Sequence, residues 1–370
     1  MPPSRTLTAP DMTRIRAGIL GATGAVGQTF VRLLANHPLF EITALAASER
    51  SAGKRYAEAA NWISDAELDP GVAAMEVRLV GDDLPCDVLF SGLDAAVAGE
   101  AEAEAARRGY VVVSNARNHR MAPDVPLLVP EVNPDHLALM DRQTWGAGRI
   151  VTNPNCSTVG LAMALRPLHD AFGVEAVHVV TMQALSGAGY PGVPSLDIVG
   201  NVVPFIPGEE EKMATETRKI LGTLGAAGVD DAEIVVSAQC CRVPVIDGHT
   251  EAVSVRFRSP ASAEDVAAAL RAWTSPLAAM NLPTAPERPL VVFDDPRFPQ
   301  PRRHASLGGG MTVSVGRVQS CPAIAPAGRG AKFVVLSHNT VRGAAGGAIL
   351  NAELIHAQGR LARRASAPAA

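Results

Sequence analysis

Apolar segments in the first part of the chain alternate with segments of helical periodicity. Short apolar runs predict strands at Ile15–Leu20, Glu41–Ala47, Cys86–Ser91 and Tyr110–Ser114. Between them, apolar residues recur at helical spacing in Val26–Leu34 and Ala95–Ala106. Strands separated by helices are typical of a parallel, doubly wound sheet, because parallel neighbours need a crossover connection.

The pattern changes after residue 158 to longer, Val/Ile-rich runs. Six strands are predicted there, at Ala176–Met182, Ala232–Ser237, Glu251–Phe257, Leu290–Phe293, Thr312–Val318 and Lys332–Leu336. With the helical segment Ala261–Trp273, these runs predict a mixed α+β domain built on one large open sheet. Such a sheet needs a covered face, so we expect it to take part in a subunit interface. A last helix, Gly343–Ile355, is expected to pack back on the first domain.

Composition narrows the classes of function. The chain has 370 residues, is 47% hydrophobic and 19% charged, and carries a net charge of -4 without a run of Lys or Arg. This balance argues against nucleic acid or an anionic membrane as partner and favours a small-molecule substrate. No apolar stretch of about 20 residues or signal-peptide core is present. We therefore expect a cytoplasmic protein whose five cysteines are thiols, with no metal-site spacing.

A glycine-rich turn follows the first predicted strand. Gly21, Gly24 and Gly27 are spaced GxxGxxG and open the next helix, with Thr23, Ala25 and Val26 between them. In a strand–turn–helix context, glycines bring backbone N–H groups close to a pyrophosphate. The turn predicts a Rossmann-type dinucleotide site; a close-packed turn without ligand is the alternative.

The end of the second predicted strand indicates which dinucleotide is bound. Ser48, Arg50 and Ser51 follow that strand, and their guanidinium and hydroxyl groups suit the 2′-phosphate of NADP. Glu49 is an argument for NAD, and a polar surface loop without ligand is the other possibility. NADP is the predicted cofactor.

Cys156 is the candidate nucleophile. It follows an Asn-Pro-Asn turn and precedes an apolar-periodic segment, which places the thiol at a helix N-terminus, where the pKa of a thiol is expected to fall. A thiolate can attack an acyl carbonyl and form a thioester. The alternative is a buried structural cysteine. The adjacent Cys240 and Cys241 should point in opposite directions along extended backbone, and neither is expected to react.

His249 is the candidate acid/base partner. The turn Asp247-Gly248 is expected to project His249 away from regular structure, and an exposed loop histidine without function is the alternative. Arg242, at a predicted strand end seven residues earlier, adds a cation that could receive a substrate carboxylate.

Five segments in this order resemble aspartate-semialdehyde dehydrogenases, within the wider group of phosphorylating semialdehyde dehydrogenases. They are Gly21–Gly27 (GATGAVG), Asn153–Thr158 (NPNCST), Gln183–Gly189 (QALSGAG), Glu209–Lys212 (EEEK) and Arg242–Glu251 (RVPVIDGHTE). The archaeal and fungal branch of the family is the most similar to three segments of this sequence: the last of these five, Gly308–Arg317 and Asn339–Gly346.

The resemblance implies a mechanism and a set of site residues. Cys156 would attack the acyl carbonyl of β-aspartyl phosphate, phosphate would leave, and NADPH would reduce the thioester to the aldehyde. His249 would act as acid/base and Gln183 would hold the acyl group. The remaining substrate and phosphate contacts would be Arg242, Glu209, Lys212, Arg120 (chosen over Arg117) and Asn115. Nicotinamide contacts would be Ser186, Gly187 and Asn339.

Other readings remain open. An archaeal-type malonyl-CoA reductase would use the same cysteine, histidine and NADPH on a CoA thioester. A non-catalytic NADP-binding regulator would retain the fold alone. For the main reading we expect an α/β protein that forms a homodimer or homotetramer. Its expected parts are a disordered leader at 1–13, in which Met12 could be the true start, a Rossmann-type NADP-binding domain at 14–152, a mixed α+β catalytic and dimerisation domain at 153–337, and a returning C-terminal segment at 338–370.

Overall fold

The computed structural model describes residues 14–325, 328–361 and 363–364. The predicted leader 1–13 lies outside the described residues. The described helices are α1 Ala25–Leu34, α2 Tyr56–Ala59, α3 Pro70–Ala74, α4 Ala95–Arg107, α5 Cys156–Phe172, α6 Ser195–Ile198, α7 Glu209–Ile220, α8 Ala263–Ala272, α9 Pro301–His304 and α10 Gly346–Ala357. Short 3-10 segments occur at Pro134–Arg142, Leu185–Ala188, Ala278–Met280 and Leu307–Gly310, and a π-helical turn at Val341–Ala345.

The first sheet is six-stranded and parallel throughout, with the order β3-β2-β1-β4-β5-β6. Its strands are β1 Ile15–Leu20, β2 Phe40–Ala47, β3 Val77–Leu79, β4 Val88–Ser91, β5 Val111–Ser114 and β6 Arg149–Thr152. The strand order reverses direction beside β1, and ligands of such sheets bind in the crevice beyond the carboxyl ends at that point. The predicted doubly wound architecture is confirmed, with β3 and β6 added.

The second sheet is also six-stranded but mixed, with the order β10-β7-β11-β14-β13-β12. Its strands are β7 Val174–Gln183, β10 Val235–Arg242, β11 His249–Phe257, β12 Leu290–Phe293, β13 Val313–Ser320 and β14 Gly330–Ser337. A separate two-stranded ladder joins β8 Thr223–Leu224 to β9 Val229–Asp230. The prediction of one large sheet in a mixed domain is confirmed.

Two sequence predictions about this sheet are wrong in detail. The strand predicted at Ala232–Ser237 is shifted, because β10 runs from Val235 to Arg242 and includes both Cys240 and Cys241. His249 does not leave regular structure: Gly248 has a φ of 95°, and His249 is the first residue of β11, fully buried. The Asp-Gly turn therefore directs the chain into a central strand.

The helix that begins at Cys156 and the C-terminal helix pack in two different hydrophobic cores. The inner side chains of α5 share a core with the second sheet, through residues such as Leu161, Val253 and Val335. The α10 side chains Ile349 and Leu350 instead pack in the core of the first sheet. Because α5 begins at Cys156, shortly after β6 ends at Thr152, its N-terminus lies near the carboxyl edge of the first sheet while its body packs on the second.

Candidate active site

Cys156 is the first residue of α5, and the preceding Asn155 caps the helix. The Asn155 side chain accepts a hydrogen bond from the Ser157 N–H at 3.0 Å. Such a cap satisfies one of the first-turn N–H groups and fixes the direction of the helix start. The cap therefore determines the position of the thiol.

His249 lies directly against the thiol, with Nε2 3.1 Å from Sγ of Cys156. Its Nδ1 accepts the backbone N–H of Ala184 at 3.0 Å. A ring nitrogen that accepts an N–H carries no proton, so the neutral ring holds its proton on Nε2 and presents it to the sulfur. Desolvation, reinforced by the Arg242 charge, lowers the pKa of His249 to about 3. The imidazole is thus a neutral donor.

The thiol does not have the lowered pKa that its helix position suggests. Desolvation, with a contribution from the Glu209 carboxylate, raises the pKa of Cys156 to about 12, and the charges of Lys212, Arg242 and Arg120 act in the opposite direction. The prediction of a lowered thiol pKa is therefore wrong, because burial outweighs the favourable position at the helix N-terminus. Burial therefore favours the protonated thiol over the thiolate.

Gln183, Arg242 and Glu209 form a polar group beside this pair. Gln183 and Arg242 end two parallel strands and lie opposite each other in the β7–β10 ladder. Arg242 donates to the Ala184 carbonyl at 2.8 Å, and Gln183 Nε2 donates to Glu209 at 3.2 Å. All three residues are buried. Sheet register and the first turn of α7 thus bring together three residues that are distant in sequence.

Glu209 is a buried anion. Burial raises the pKa of Glu209, but the charge of Lys212 and hydrogen bonds from Lys212, Gln183 and Asn155 outweigh it and hold the pKa below its usual value. Asn155 Nδ2 donates to both carboxylate oxygens, at 3.1 and 2.9 Å. A fixed carboxylate with a paired lysine suits recognition of a charged amine or the placement of an anion beside the lysine.

Of the two candidate arginines before the nucleophile loop, the structure brings Arg120 to the site. Arg120 is buried, whereas Arg117 is exposed. Arg120 donates to the Asn115 carbonyl at 2.6 Å and to Glu216 at 2.8 Å. The Asn115 side chain accepts from Asn153 Nδ2 at 3.1 Å, in the nucleophile loop. Asn115 and Arg120 therefore adjoin the start of α5.

The glycine turn has the geometry of a phosphate site. Gly21 has a φ of 72°, and Gly24 is an extended N-cap of α1 without a side-chain cap, followed by Ala25 and Val26. The first-turn N–H groups are left for an anion, which the helix dipole favours. Thr23 is part-buried in the same turn. This arrangement fits the pyrophosphate of a dinucleotide.

The three polar residues after β2 lie together in one turn. The Ser51 N–H donates to the Ser48 carbonyl at 2.9 Å, and Ser51 is buried while Ser48 and Arg50 are exposed. Arg50 makes no ion pair with another described residue. Its guanidinium is therefore available at the carboxyl end of β2, next to the glycine turn that follows β1.

Ser186, Gly187 and Asn339 connect the cofactor side to the catalytic pair. Asn339 Nδ2 donates to Ser186 Oγ at 2.8 Å, and Asn339 Oδ1 accepts the Gly248 N–H at 2.9 Å. A Cβ on Gly187 would lie 2.8 Å from Cε1 of His249, so only glycine fits there. A cleft of about 590 Å³ lined by both Ala25 and Ser186 runs between α1 and this segment. The cleft therefore joins the first turn of α1 to the segment around Ser186, and Gly187 in that segment adjoins His249.

Several residues at the site were not predicted. Asn155 lies within the segment Asn153–Thr158, and the other three contact that segment or the loop of Arg120; they are Glu216, Lys219 and Gly343. A signal for two of them is present in the sequence. Glu209, Lys212, Glu216 and Lys219 recur at helical spacing on one face of α7, and three of these four charged residues are buried. The spacing shows that these residues share a face, but it does not show that the face is buried, because a charged helix face is usually solvated.

All five cysteines are free, as predicted. Across the described residues, no group of three or more His, Cys, Asp or Glu side chains could hold a metal ion. None of the described helices is long and apolar enough to cross a membrane. The described chemistry therefore centres on one cysteine, one histidine and a set of buried cations.

A Rossmann-type domain joined to a mixed sheet that presents a cysteine beside a histidine defines the class of dinucleotide-dependent enzymes. Residues 16–140 match the model of the semialdehyde dehydrogenase NAD binding domain, and residues 165–342 match that of the semialdehyde dehydrogenase dimerisation domain. The chain belongs to the semialdehyde dehydrogenase family, in its aspartate-semialdehyde dehydrogenase branch. The resemblance seen in the sequence is confirmed.

Curated relatives that are 44–50% identical to this chain come from archaea and fungi, the branch that the sequence motifs predicted. Aspartate-semialdehyde dehydrogenase of Archaeoglobus fulgidus is 50% identical over 92% of this chain and 98% of its own length. The enzyme of Candida albicans is 46% identical over 93% of this chain and 98% of its own length. A crystal structure of the Candida albicans enzyme with NADP matches with a TM-score of 0.85 and 44% identity, covering 94% of this chain and all of that chain.

Proposed function

We propose that this protein is an NADPH-dependent aspartate-semialdehyde dehydrogenase that converts β-aspartyl phosphate to aspartate semialdehyde and phosphate. The observation that carries the proposal is the 3.1 Å contact between Cys156 Sγ and His249 Nε2, surrounded by Arg242, Lys212 and Arg120. A nucleophile among cations suits a substrate with a carboxylate at one end and a phosphate at the other. The names of the relatives support this substrate.

In the first half-reaction, Cys156 Sγ forms a bond to the acyl carbon while the bond from that carbon to the phosphate oxygen breaks. The proton lost from the thiol balances the departing phosphate, which leaves as hydrogen phosphate. Arg120 and Lys212 stabilise the charge on that group. His249 keeps its Nε2–H directed at the sulfur and the neighbouring carbonyl oxygen, where it stabilises negative charge in the transition state.

In the second half-reaction, NADPH supplies a hydride to the carbonyl carbon of the thioester. Gln183 holds the acyl group in place, and the carbon–sulfur bond then breaks. The product is the aldehyde, and the departing Cys156 thiolate takes up one proton from solvent to become a thiol again. The neutral tautomer of His249 favours a donor role over the general acid/base role expected from the resemblance.

Glu209 and Arg242 support an amino-acid substrate. We assign Arg242 to the α-carboxylate and Glu209 to the α-amino group, because each is buried and has the charge opposite to that of its partner group. A malonyl-CoA reductase would have no amine for Glu209 to bind. This carboxylate is the specific observation against that second candidate. A regulator without activity would not need the close Cys–His contact.

NADP is the proposed cofactor. Gly21, Thr23, Gly24, Ala25 and Val26 would hold the pyrophosphate, and Ser48, Arg50 and Ser51 the 2′-phosphate. Ser186, Gly187 and Asn339 would lie at the nicotinamide. The open first turn of α1 and the available Arg50 guanidinium support this arrangement.

The deciding experiment is the reverse reaction, followed as reduction of NADP or NAD. Aspartate semialdehyde with phosphate is compared with malonate semialdehyde with CoA. We expect turnover only with aspartate semialdehyde, phosphate and NADP. Turnover that requires CoA would support the reductase alternative. Arg242→Ala should raise the KM for aspartate semialdehyde, and unchanged kinetics would contradict the substrate assignment.

We also propose a homodimer or homotetramer. In the single chain, a set of large apolar side chains is exposed to solvent in the stretch that follows Ser186 and Gly187. They are Tyr190, Leu196, Val199, Val202 and Phe205. Patches of this kind on a globular protein mark interaction surfaces. Light scattering coupled to size exclusion measures the state, and a monomer at micromolar concentration would contradict the proposal.

The proposed division of the chain is an NADP-binding domain at 14–152, a catalytic and dimerisation domain at 153–337 and a returning segment from 338. The packing of α10 in the core of the first sheet supports the last part. A cytoplasmic location stays a prediction.

A further inference from the structure

Glu216, seven residues after Glu209 on α7, joins two parts of the site. Its Oε1 accepts from Arg120 Nη1 at 2.8 Å, and its Oε2 accepts the backbone N–H of Asn155 at 2.7 Å. Glu216 is only 1% exposed. Each oxygen of this buried carboxylate therefore has a donor from a different segment of the chain.

The two segments that Glu216 joins have different proposed roles. Asn155 caps the helix that carries Cys156, and Arg120 is the arginine assigned to phosphate. The carboxylate fixes the separation between the guanidinium and the residue that precedes the nucleophile. A buried charge-assisted hydrogen bond of this kind is both strong and directional.

The remaining donors of Arg120 indicate where an anion would bind. Its Nη2 donates to the Asn115 carbonyl at 2.6 Å, while its buried Nε has no hydrogen-bond partner among the described residues. A buried N–H without a partner is costly and rare in native proteins. An incoming phosphate oxygen would supply the missing acceptor.

The same helix also supports the backbone of the Arg120 loop. Lys219 Nζ donates to the carbonyls of Arg120, Ala122 and Val125, at 2.7, 2.7 and 3.0 Å. One face of α7 thus holds the Arg120 side chain through Glu216 and the Arg120 backbone through Lys219. The loop and the start of α5 are tied to one rigid element.

We propose that Glu216 is a positioning residue that couples the phosphate-binding Arg120 to the helix N-terminus carrying Cys156. This inference rests on the proposed function, because it assigns Arg120 to phosphate. Glu216 touches neither substrate nor sulfur; it sets where the phosphate lies relative to the thiol. Its removal should therefore weaken phosphate binding more than cofactor binding.

The test uses Glu216→Gln in the reverse reaction with inorganic phosphate as the varied substrate. Glutamine has the same shape but only one acceptor oxygen, so its NH₂ group must face either Arg120 or the Asn155 N–H, both of which are donors. We expect the KM for phosphate to rise about tenfold or more, as for loss of a charge-assisted hydrogen bond. The KM for NADP should stay within about twofold.

The matched control is Glu211→Gln, on the same helix but exposed to solvent; it should behave as the unsubstituted protein. If Glu216→Gln does not fold, as judged by circular dichroism, Glu216→Asp replaces it, because the shorter carboxylate keeps its charge but cannot reach both donors. The same rise in the phosphate KM is expected.

A double substitution separates positioning from general structural support. In an Arg120→Ala background, adding Glu216→Gln should change the phosphate KM by less than about twofold, because Glu216 still holds the Asn155 N–H but the phosphate-binding guanidinium that it positions is gone. If Glu216→Gln changed the phosphate KM equally in both backgrounds, or did not change it in the otherwise unsubstituted protein, this inference would be overturned and the proposed function would stand. An unsubstituted protein without phosphate-dependent turnover would overturn the proposed function and this inference together.

Discussion

The Ala184 N–H donates to Nδ1 of His249, while Nε2 of the same ring lies 3.1 Å from Cys156 Sγ. The backbone amide selects the Nε2–H tautomer, so the role proposed for the histidine is to donate a hydrogen bond to the sulfur. It cannot take the thiol proton at Nε2, which is already protonated.

Two substitutions of His249 separate these roles. His249→Gln can place an amide N–H near the position of Nε2, whereas His249→Ala cannot. We expect iodoacetamide to alkylate Cys156 faster in the glutamine variant than in the alanine variant. Turnover should fall about 10²- to 10³-fold in the alanine variant, as for loss of one hydrogen-bond donor to developing negative charge. Equal alkylation rates in the two variants would indicate that the donor role is wrong.

Stability should depend on pH through the same ring. Desolvation lowers the pKa of His249 to about 3 in the folded protein, whereas an unfolded histidine binds a proton near 6.5. The contribution of the neutral, buried ring to the free energy of unfolding is complete above pH 6.5. It is lost as the pH falls toward 3, because the unfolded state then binds more protons than the folded state. His249→Gln cannot titrate. Its free energy of unfolding should fall less steeply below pH 6.5, by up to about 1.4 kcal/mol per pH unit. Parallel curves from urea unfolding would contradict the assignment.

Gly343, in the π-helical turn before α10, packs on the nucleophile. A Cβ there would lie 2.7 Å from the Cβ of Cys156. Gly343→Ala should displace the thiol and lower kcat about tenfold or more, since small misplacements of reacting groups are costly. Gly346→Ala, three residues later, is the control. A Cβ there would be equally crowded, at 2.7 Å from Sδ of Met311, but it would not meet Cys156. Equal kcat values in the two variants would exclude a specific effect on the thiol.

Arg50 should determine the preference for NADP. Arg50→Ala removes the proposed partner of the 2′-phosphate, and we expect kcat/KM for NADPH to fall about tenfold or more while that for NADH stays nearly constant. Lys54→Ala, in the same exposed loop, serves as the control. An equal loss for both cofactors would place the role of Arg50 elsewhere.

The apolar pattern was sufficient to predict both sheets, because buried strands need continuous or alternating apolar residues. It missed β3 (Val-Arg-Leu) and β6 (Arg-Ile-Val-Thr), each of which has only two apolar residues, whereas β4 and β5 have three. The turn at Asp247-Gly248 was recognised, but whether His249 lay in a loop or a strand depends on pairing with β14, where His249 faces Ser337. Local sequence does not encode that ladder.

The nucleophile and its neighbours were predictable as motifs, but their protonation was not. The helix N-terminus at Cys156 argues for a lowered thiol pKa, and burial by the surrounding tertiary structure reverses it. Glu216 and Lys219 were missed for a related reason. A charged helix face is usually exposed, and only the fold shows that α7 turns this one toward Arg120 and Asn155.

The most direct test of the account is a single-turnover measurement with aspartate semialdehyde and NADP in the absence of phosphate. Oxidation of the aldehyde on the enzyme should give a burst of NADPH about equal to the number of active sites. Mass spectrometry should find one aspartyl adduct, located on Cys156, and added phosphate should discharge it. A burst that persists in Cys156→Ala, or an adduct on another cysteine, would contradict the account.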